Sequence, residues 1–165
     1  MFFKDLFQSL RAHGVRYVVV GGVAVALHGV NRFTADIDLV VGLDDTNLRS
    51  FLAVMDEFGM VPRSPVPAEE LLDAACSKMW HDEKGMTAFT FHHPSKIMQQ
   101  VDVFIEEDIP FYLLADSAVV FSVFDTDVPV VSLDHLRKMK LKAGRPQDIA
   151  DVEALNELEM LDGEK

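Results

Sequence analysis

Apolar and polar positions follow two different rhythms along the chain. In the opening stretch, MFFKDLFQSLR, Phe3, Phe7 and Leu10 recur at helical spacing while Lys4 and Asp5 interrupt the apolar run. That predicts an amphipathic helix docked on a core rather than a leader, with its stop at His13-Gly14. RYVVV then reads as a strand, Gly21-Gly22 as a turn, and VAVALHG as a short helix closed by Gly29. DIDLVV predicts a second strand, followed by a helix with Asp44 or Asp45 as its N-cap that runs to about Phe58.

The second half continues the alternation. PRSPVP places three prolines in residues 62–67, which predicts a loop, and AEELLDAACSKMW after it predicts a helix. MTAFTFHH and QQVDVFIE read as two strands separated by a turn at Pro94-Ser95, with His92-His93 treated as loop residues. SAVVFSVF and VPVVS add expected edge strands, and helices over 133–143 and 146–161 close the chain. No repeat or long linker divides it, so the expectation is one α/β domain over 1–165.

Composition narrows the picture. At 165 residues, with 49% hydrophobic and 25% charged, the chain can bury a sizeable core. The single cysteine, Cys76, excludes an internal disulfide framework, reads as a packing residue and points to a reducing, cytoplasmic setting. Trp80 and the eight methionines read as core and helix-face filling. The longest apolar run, residues 17–27, contains Gly21-Gly22 and falls short of the about 20 residues a membrane span needs.

With 27 acidic and 15 basic residues the net charge is −12, which opposes a surface built for nucleic acid. Arg137, Lys138, Lys140, Lys142 and Arg145 nevertheless crowd together just before the acid-rich end. Two readings stand at this point: a phosphate-binding block, or a helix face that balances the acids behind it.

The D-I-D triplet carries the chemistry. In a strand, Asp36 and Asp38 share one face while Ile37, Leu39 and Val41 form an apolar stripe on the other. Two carboxylates roughly 5 to 7 Å apart repel, and such a pair raises one pKa or stays solvated unless a cation lies between them. Oxygen ligands on a rigid face suit Mg²⁺, with water and substrate phosphates completing its octahedron. In QQVDVFIE, Asp102 alternates with Val101, Val103 and Ile105, so neighbouring strands would bring a third carboxylate to the same end of the sheet, as a two-metal phosphoryl-transfer site requires. A strand, a Gly-Gly turn and a helix N-terminus would add a backbone cradle for phosphate.

Taken together, GGVAVALHGVNRFTADIDL resembles the active-site signature of the DNA polymerase beta-like nucleotidyltransferase superfamily, and specifically its small prokaryotic AbiEii-type branch. The resemblance continues at Asp102 and in MKLKAGRPQDIADVEAL, residues 139–155. Gly22 stands where many minimal members carry serine, and Val25 where they carry arginine, which favours the AbiEii-type branch.

The resemblance implies a nucleotidyltransferase fold, a mixed central sheet flanked by helices. It implies Mg²⁺- or Mn²⁺-dependent transfer of a nucleoside monophosphate from a nucleoside triphosphate such as ATP to a hydroxyl acceptor, an RNA 3′ end (tRNA included) or a protein. It also implies a cognate toxin or antitoxin partner. Asp36, Asp38 and Asp102 would be the catalytic metal ligands. Gly21, Gly22, Arg32, Thr34 and Lys140 would contact the nucleotide, Asp148 would orient Lys140 or Arg145, and His28 would support the site or simply pack under its loop. The alternatives are an antibiotic-type nucleotidyltransferase and a non-catalytic member that binds nucleotide or a partner.

Overall fold

Val18, Val19 and Val20 are wholly buried, as are Ile37, Leu39 and Val41, and strands this apolar need cover on both faces. The computed structural model, which describes residues 1–73, 88–104 and 108–163, shows how the cover is arranged. The elements are α1 (Phe2–Ala12), β1 (Tyr17–Val20), α2 (Gly21–Leu27), β2 (Asp36–Val41), α3 (Asp45–Glu57), β3 (Val61–Pro62) and a 3-10 helix (Ala68–Leu72). There follow β4 (Ala88–His93), β5 (Lys96–Phe104), α4 (Phe111–Asp116), β6 (Val119–Val123), β7 (Thr126–Val130), α5 (Leu133–Ala143) and α6 (Pro146–Gly163). The strands form one mixed sheet in the order β3-β4-β5-β2-β1-β7-β6. β2 pairs parallel with β5 and β1 with β7, and the other pairs are antiparallel.

Pleating sorts the side chains. On one face, Ile37, Leu39, Phe89, Phe91, Val101 and Val103 are buried beneath α1 and α3. Phe51 of α3 meets Phe91 edge-on at 5.7 Å, and Phe7 of α1 stacks on Tyr17 at 6.3 Å. Each such aromatic, fully removed from water, contributes about 2–3 kcal/mol. α2 covers the opposite face, α5 packs against α2, and α6 packs against α5. The acidic positions of β2 and β5 belong to that second face.

Local signals explain most boundaries. Asp44 is the N-cap of α3, its carboxylate accepting the Asn47 N–H at 3.1 Å. Gly144 ends α5 in the left-handed conformation at φ 64°, and Pro146 opens α6 where its missing N–H costs nothing.

Several expectations are corrected. Gly21 and Gly22 fall within the bounds of α2, so the expected turn is confined to Gly21, whose φ of +62° swings the chain from β1 straight into the helix. β7 lies inside the sheet, because it returns to pair with β1 at Val19–Val130, and of the two expected edge strands β6 alone is one. His92 and His93 end β4 instead of lying in a loop, and Pro62 sits in the short edge strand β3, where an absent donor is tolerated. α4 was not anticipated; six residues hold too little periodicity to read. Of the helix expected over 68–80, Ala68–Leu72 is a 3-10 helix, while Cys76 and Trp80 lie outside the described residues. Met55 and Met60 are core residues, but Met98 and Met160 are exposed.

Asn47 clamps the end of the β1–β2 pair opposite the acidic positions. Its buried amide accepts the Arg16 N–H at 2.7 Å and donates to the Arg16 and Gly42 carbonyls at 2.9 and 2.8 Å. Asn47→Ala is therefore expected to cost about 2–3 kcal/mol in urea unfolding, because backbone groups lose their partner. Asn47→Asp should cost more at pH 7, since a carboxylate would face two carbonyl oxygens.

Candidate active site

Parallel pairing of β2 with β5 sets the site. The register places Asp38 beside Asp102 and Asp36 beside Gln100, so all four side chains leave the same face. Asp36 opens β2, whereas Asp102 lies well inside β5, which begins at Lys96. Ligand oxygens of Asp36, Asp38 and Asp102 lie within 4.8 Å of one another.

Glycines make this approach possible. Gly21 has φ +62°, and a Cβ there would stand 1.8 Å from Asp38 Oδ2, so both backbone conformation and space demand glycine. A Cβ on Gly22 would lie 2.7 Å from Thr34 Oγ1 and 2.9 Å from an Arg32 guanidinium nitrogen. The Gly22 N–H points to Asp38 Oδ2 at 3.4 Å, and the Thr34 hydroxyl donates to Asp36 Oδ1 at 2.9 Å. Burial pushes the Asp38 carboxyl up to about 6, and the neighbouring Asp36 and Asp102 charges push the same way against the Gly22 N–H and Lys140.

Across from the acids lies a chain of charge pairs. Lys140 is buried, its ammonium 3.0 Å from Asp148 and 2.8 Å from Asp151. Arg32 reaches Asp151 at 2.8 Å, and Gln147 holds that carboxylate's other oxygen at 2.9 Å. Arg145 grips Asp148 through its Nε at 2.7 Å and its backbone N–H at 3.2 Å. Burial alone would raise the Asp148 carboxyl, but the Arg145 and Lys140 bonds outweigh it and hold it below the usual range.

Each residue singled out in the sequence has a definite place. Gly21, Gly22, Arg32, Thr34, Asp36, Asp38, Asp102, Lys140, Arg145 and Asp148 all line one cavity of about 580 Å³. His28 stays away from it: its Nε2 meets the Val131 carbonyl at 2.8 Å and its ring packs edge-on against Phe121. Asp151, Gln147 and Gln100 were missed. Asp148 and Asp151 sit three apart on one helical face, a signal hidden because the segment reads as an acidic tail.

The basic block turns out to be spent on pairing. Arg137 is bound to Glu159 at 2.6 Å, Lys142 to Asp108, and Lys140 and Arg145 to the α6 acids. Of the two readings of that block, the geometry favours charge balance.

All three carboxylates offer hard oxygen ligands from adjacent rigid strands, the donor set that Mg²⁺ or Mn²⁺ takes. Burial and the neighbouring charges together raise Asp38 against only partial relief from Lys140 and the Gly22 N–H, and among the described residues no ion pair reaches the trio, so the residues fit a divalent ion.

Two outcomes follow from these charges. A carboxyl raised in the folded state supports folding fully below its unfolded pKa and loses that support as pH climbs through about 6. In chelator, Asp38→Asn should thus be more stable than the unaltered protein by about 2 kcal/mol at pH 8, with the gap closing toward pH 4 in thermal melts. Lys140→Met, by contrast, leaves Asp148 and Asp151 without their shared cation and should cost about 3–5 kcal/mol in urea unfolding.

Comparison with known proteins agrees with this geometry. Residues 4–165 match the family model described as nucleotidyl transferase AbiEii toxin, Type IV TA system, while no curated protein sequence matches the chain. Among solved structures, the antibiotic-resistance factor ANT(2″)-Ia is similar at TM-score 0.60 and 11% identity, over 93% of this chain and 80% of that one. An antigenic nucleotidyltransferase-like protein from Paracoccidioides brasiliensis is similar at TM-score 0.58 and 19% identity, over 94% and 73%. The lincosamide antibiotic adenylyltransferase LnuA, bound to lincomycin, is similar at TM-score 0.56 and 15% identity, over 89% of each chain. At these identities the likeness establishes the fold, and the family match across nearly the whole sequence establishes the rest: the chain belongs to the AbiEii nucleotidyltransferase toxin family.

Proposed function

We propose that the protein transfers a nucleoside monophosphate from a nucleoside triphosphate to a hydroxyl acceptor, an RNA 3′ end or a protein side chain, with Mg²⁺ or Mn²⁺ held by Asp36, Asp38 and Asp102. The observation that carries this reading is the in-register trio of carboxylates set directly against the Gly21-Gly22 start of α2 in one cavity. Divalent cations bound there supply charge neutralisation to the triphosphate and lower the pKa of the attacking hydroxyl. The acceptor oxygen forms a bond to the α-phosphorus, the bond from that phosphorus to the bridging oxygen breaks, and pyrophosphate leaves. The hydroxyl proton passes to the Asp102 carboxylate.

The remaining residues bind and orient. Gly21 and Gly22 bring the main chain close to the triphosphate, and Thr34 fixes Asp36. Arg32, Lys140 and Arg145 set a positive wall opposite the acids; Arg145 is the most exposed of the three, with 75% of its side chain accessible, and has the most freedom to meet the outgoing pyrophosphate. Membership of a toxin family supports a role within a toxin–antitoxin pair.

Thermal melting tests the site directly. Mg²⁺ or Mn²⁺ should raise the melting temperature, and nucleoside triphosphate should raise it further only with metal present. Asp38→Asn should abolish both shifts and cut transfer roughly a thousandfold or more. Nucleotide binding at full strength in chelator would contradict the reading. Incubation with labelled nucleoside triphosphates and either total RNA or purified antitoxin identifies the acceptor by which one retains the label. Because the basic block is mostly paired internally, Lys138→Glu should weaken RNA labelling only severalfold and leave nucleotide affinity unchanged.

A further inference from the structure

Each of the three carboxylates is restrained by a different donor. Thr34 holds Asp36 and the Gly22 N–H holds Asp38. The third restraint comes from a residue that no motif marks. Gln100 Nε2 donates to both oxygens of Asp102, at 3.2 and 3.1 Å. The two residues are two apart in β5 and share a face, and Gln100 also stands beside Asp36 in the register. It therefore fills the fourth corner of the acidic quartet.

An amide can be turned either way, and only one way gives Asp102 a donor. Arg63 settles the choice. Its Nη2 donates to Gln100 Oε1 at 2.7 Å, and a guanidinium has no acceptor; the amide oxygen must face it and the NH₂ must face Asp102. Arg63 is itself anchored just past β3, its backbone N–H donating to the Thr90 carbonyl at 2.9 Å. Thr90 in turn pairs with Asp102 across β4 and β5. The edge strand β3 thus delivers a cation to the outer side of the quartet, where it touches no carboxylate of the trio and acts through Gln100.

We propose that Gln100, oriented by Arg63, is the positioning residue for Asp102: it holds the third carboxylate in the rotamer that lets it share metal with Asp36 and Asp38. The inference rests on the metal-binding reading above. Hydrogen-bond partners of metal ligands, when removed, commonly weaken metal affinity by 10–100-fold, and the same range is expected here.

Mn²⁺ titration of the purified protein, followed by electron paramagnetic resonance of the free ion, reads this without turnover. Gln100→Leu should bind Mn²⁺ about 10–100-fold more weakly. Arg63→Met should weaken binding by a smaller factor, since the amide is then free to turn, and Arg63→Lys should recover part of the loss by keeping one donor. On an Asp102→Asn background, Gln100→Leu should add no further loss, which separates action through Asp102 from a general loosening of β5. Arg63 is exposed, so its variants keep the test open should Gln100→Leu fold poorly. Unchanged Mn²⁺ affinity in both Gln100→Leu and Arg63→Met overturns the inference and leaves the three-carboxylate site standing. Failure of the unaltered protein to bind Mn²⁺ overturns the site reading and this inference with it.

Discussion

Mutual repulsion among three carboxylates is the constraint around which the rest of the molecule is organised. Nothing in the apolar core asks for Asp38 and Asp102 to stand side by side; the parallel register of β2 and β5 imposes it. The fold tolerates the conflict by making the opposite face of those strands as apolar as strands allow, with Ile37, Leu39, Val101 and Val103 fully buried. Slipping the register by one residue would relieve the charges and turn that apolar face outward. Core burial therefore holds the charges together, and the unfavourable site costs stability that the hydrophobic layer supplies.

A helix and two connecting segments on the acidic face answer with opposite charge, though not by direct pairing. Arg32, Lys140 and Arg145 are neutralised first by Asp148 and Asp151. Left alone, three cations so close to three anions would bridge the cavity and fill it. Binding them to their own acids keeps the cavity open between a negative floor and a wall that retains one net positive charge. Lys140 is then chiefly a structural cation that joins α5 to α6, and any contact it makes with phosphate must coexist with two carboxylates.

How much of this was legible in the sequence depended on the range of the signal. Period-two alternation exposed Asp36 and Asp38 with their apolar backing, and the same alternation exposed Asp102, because a strand's facing is decided within a few residues. The Asp44 cap and the break between residues 143 and 146 were readable for a similar reason: helix ends are set locally. Asn47, Gln100 and Asp151 were not, since each acts on a group brought near by tertiary pairing, and an Asn, a Gln or an Asp on a helix or strand carries no mark of that. β7 was misjudged as an edge because short valine-rich strands look alike until the crossover back to β1 is known. The glycines were read for what they offer a ligand; the space they leave for Asp38 and Thr34 could be seen only in three dimensions.

The bond between Arg32 and Asp151 spans 119 positions of the chain, and it bears on the order of events during synthesis. Arg32 and the acids of β2 are made before β5 with Asp102, and the partner that quiets Lys140 and Arg32 is made after both. A growing chain that has passed Asp102 but not reached Asp151 has its carboxylates and lacks the wall that faces them. Contacts so distant in sequence also form slowly. The pocket of this toxin-family protein is thus tied to the arrival of α6, which must leave the ribosome before the wall facing the carboxylates can form.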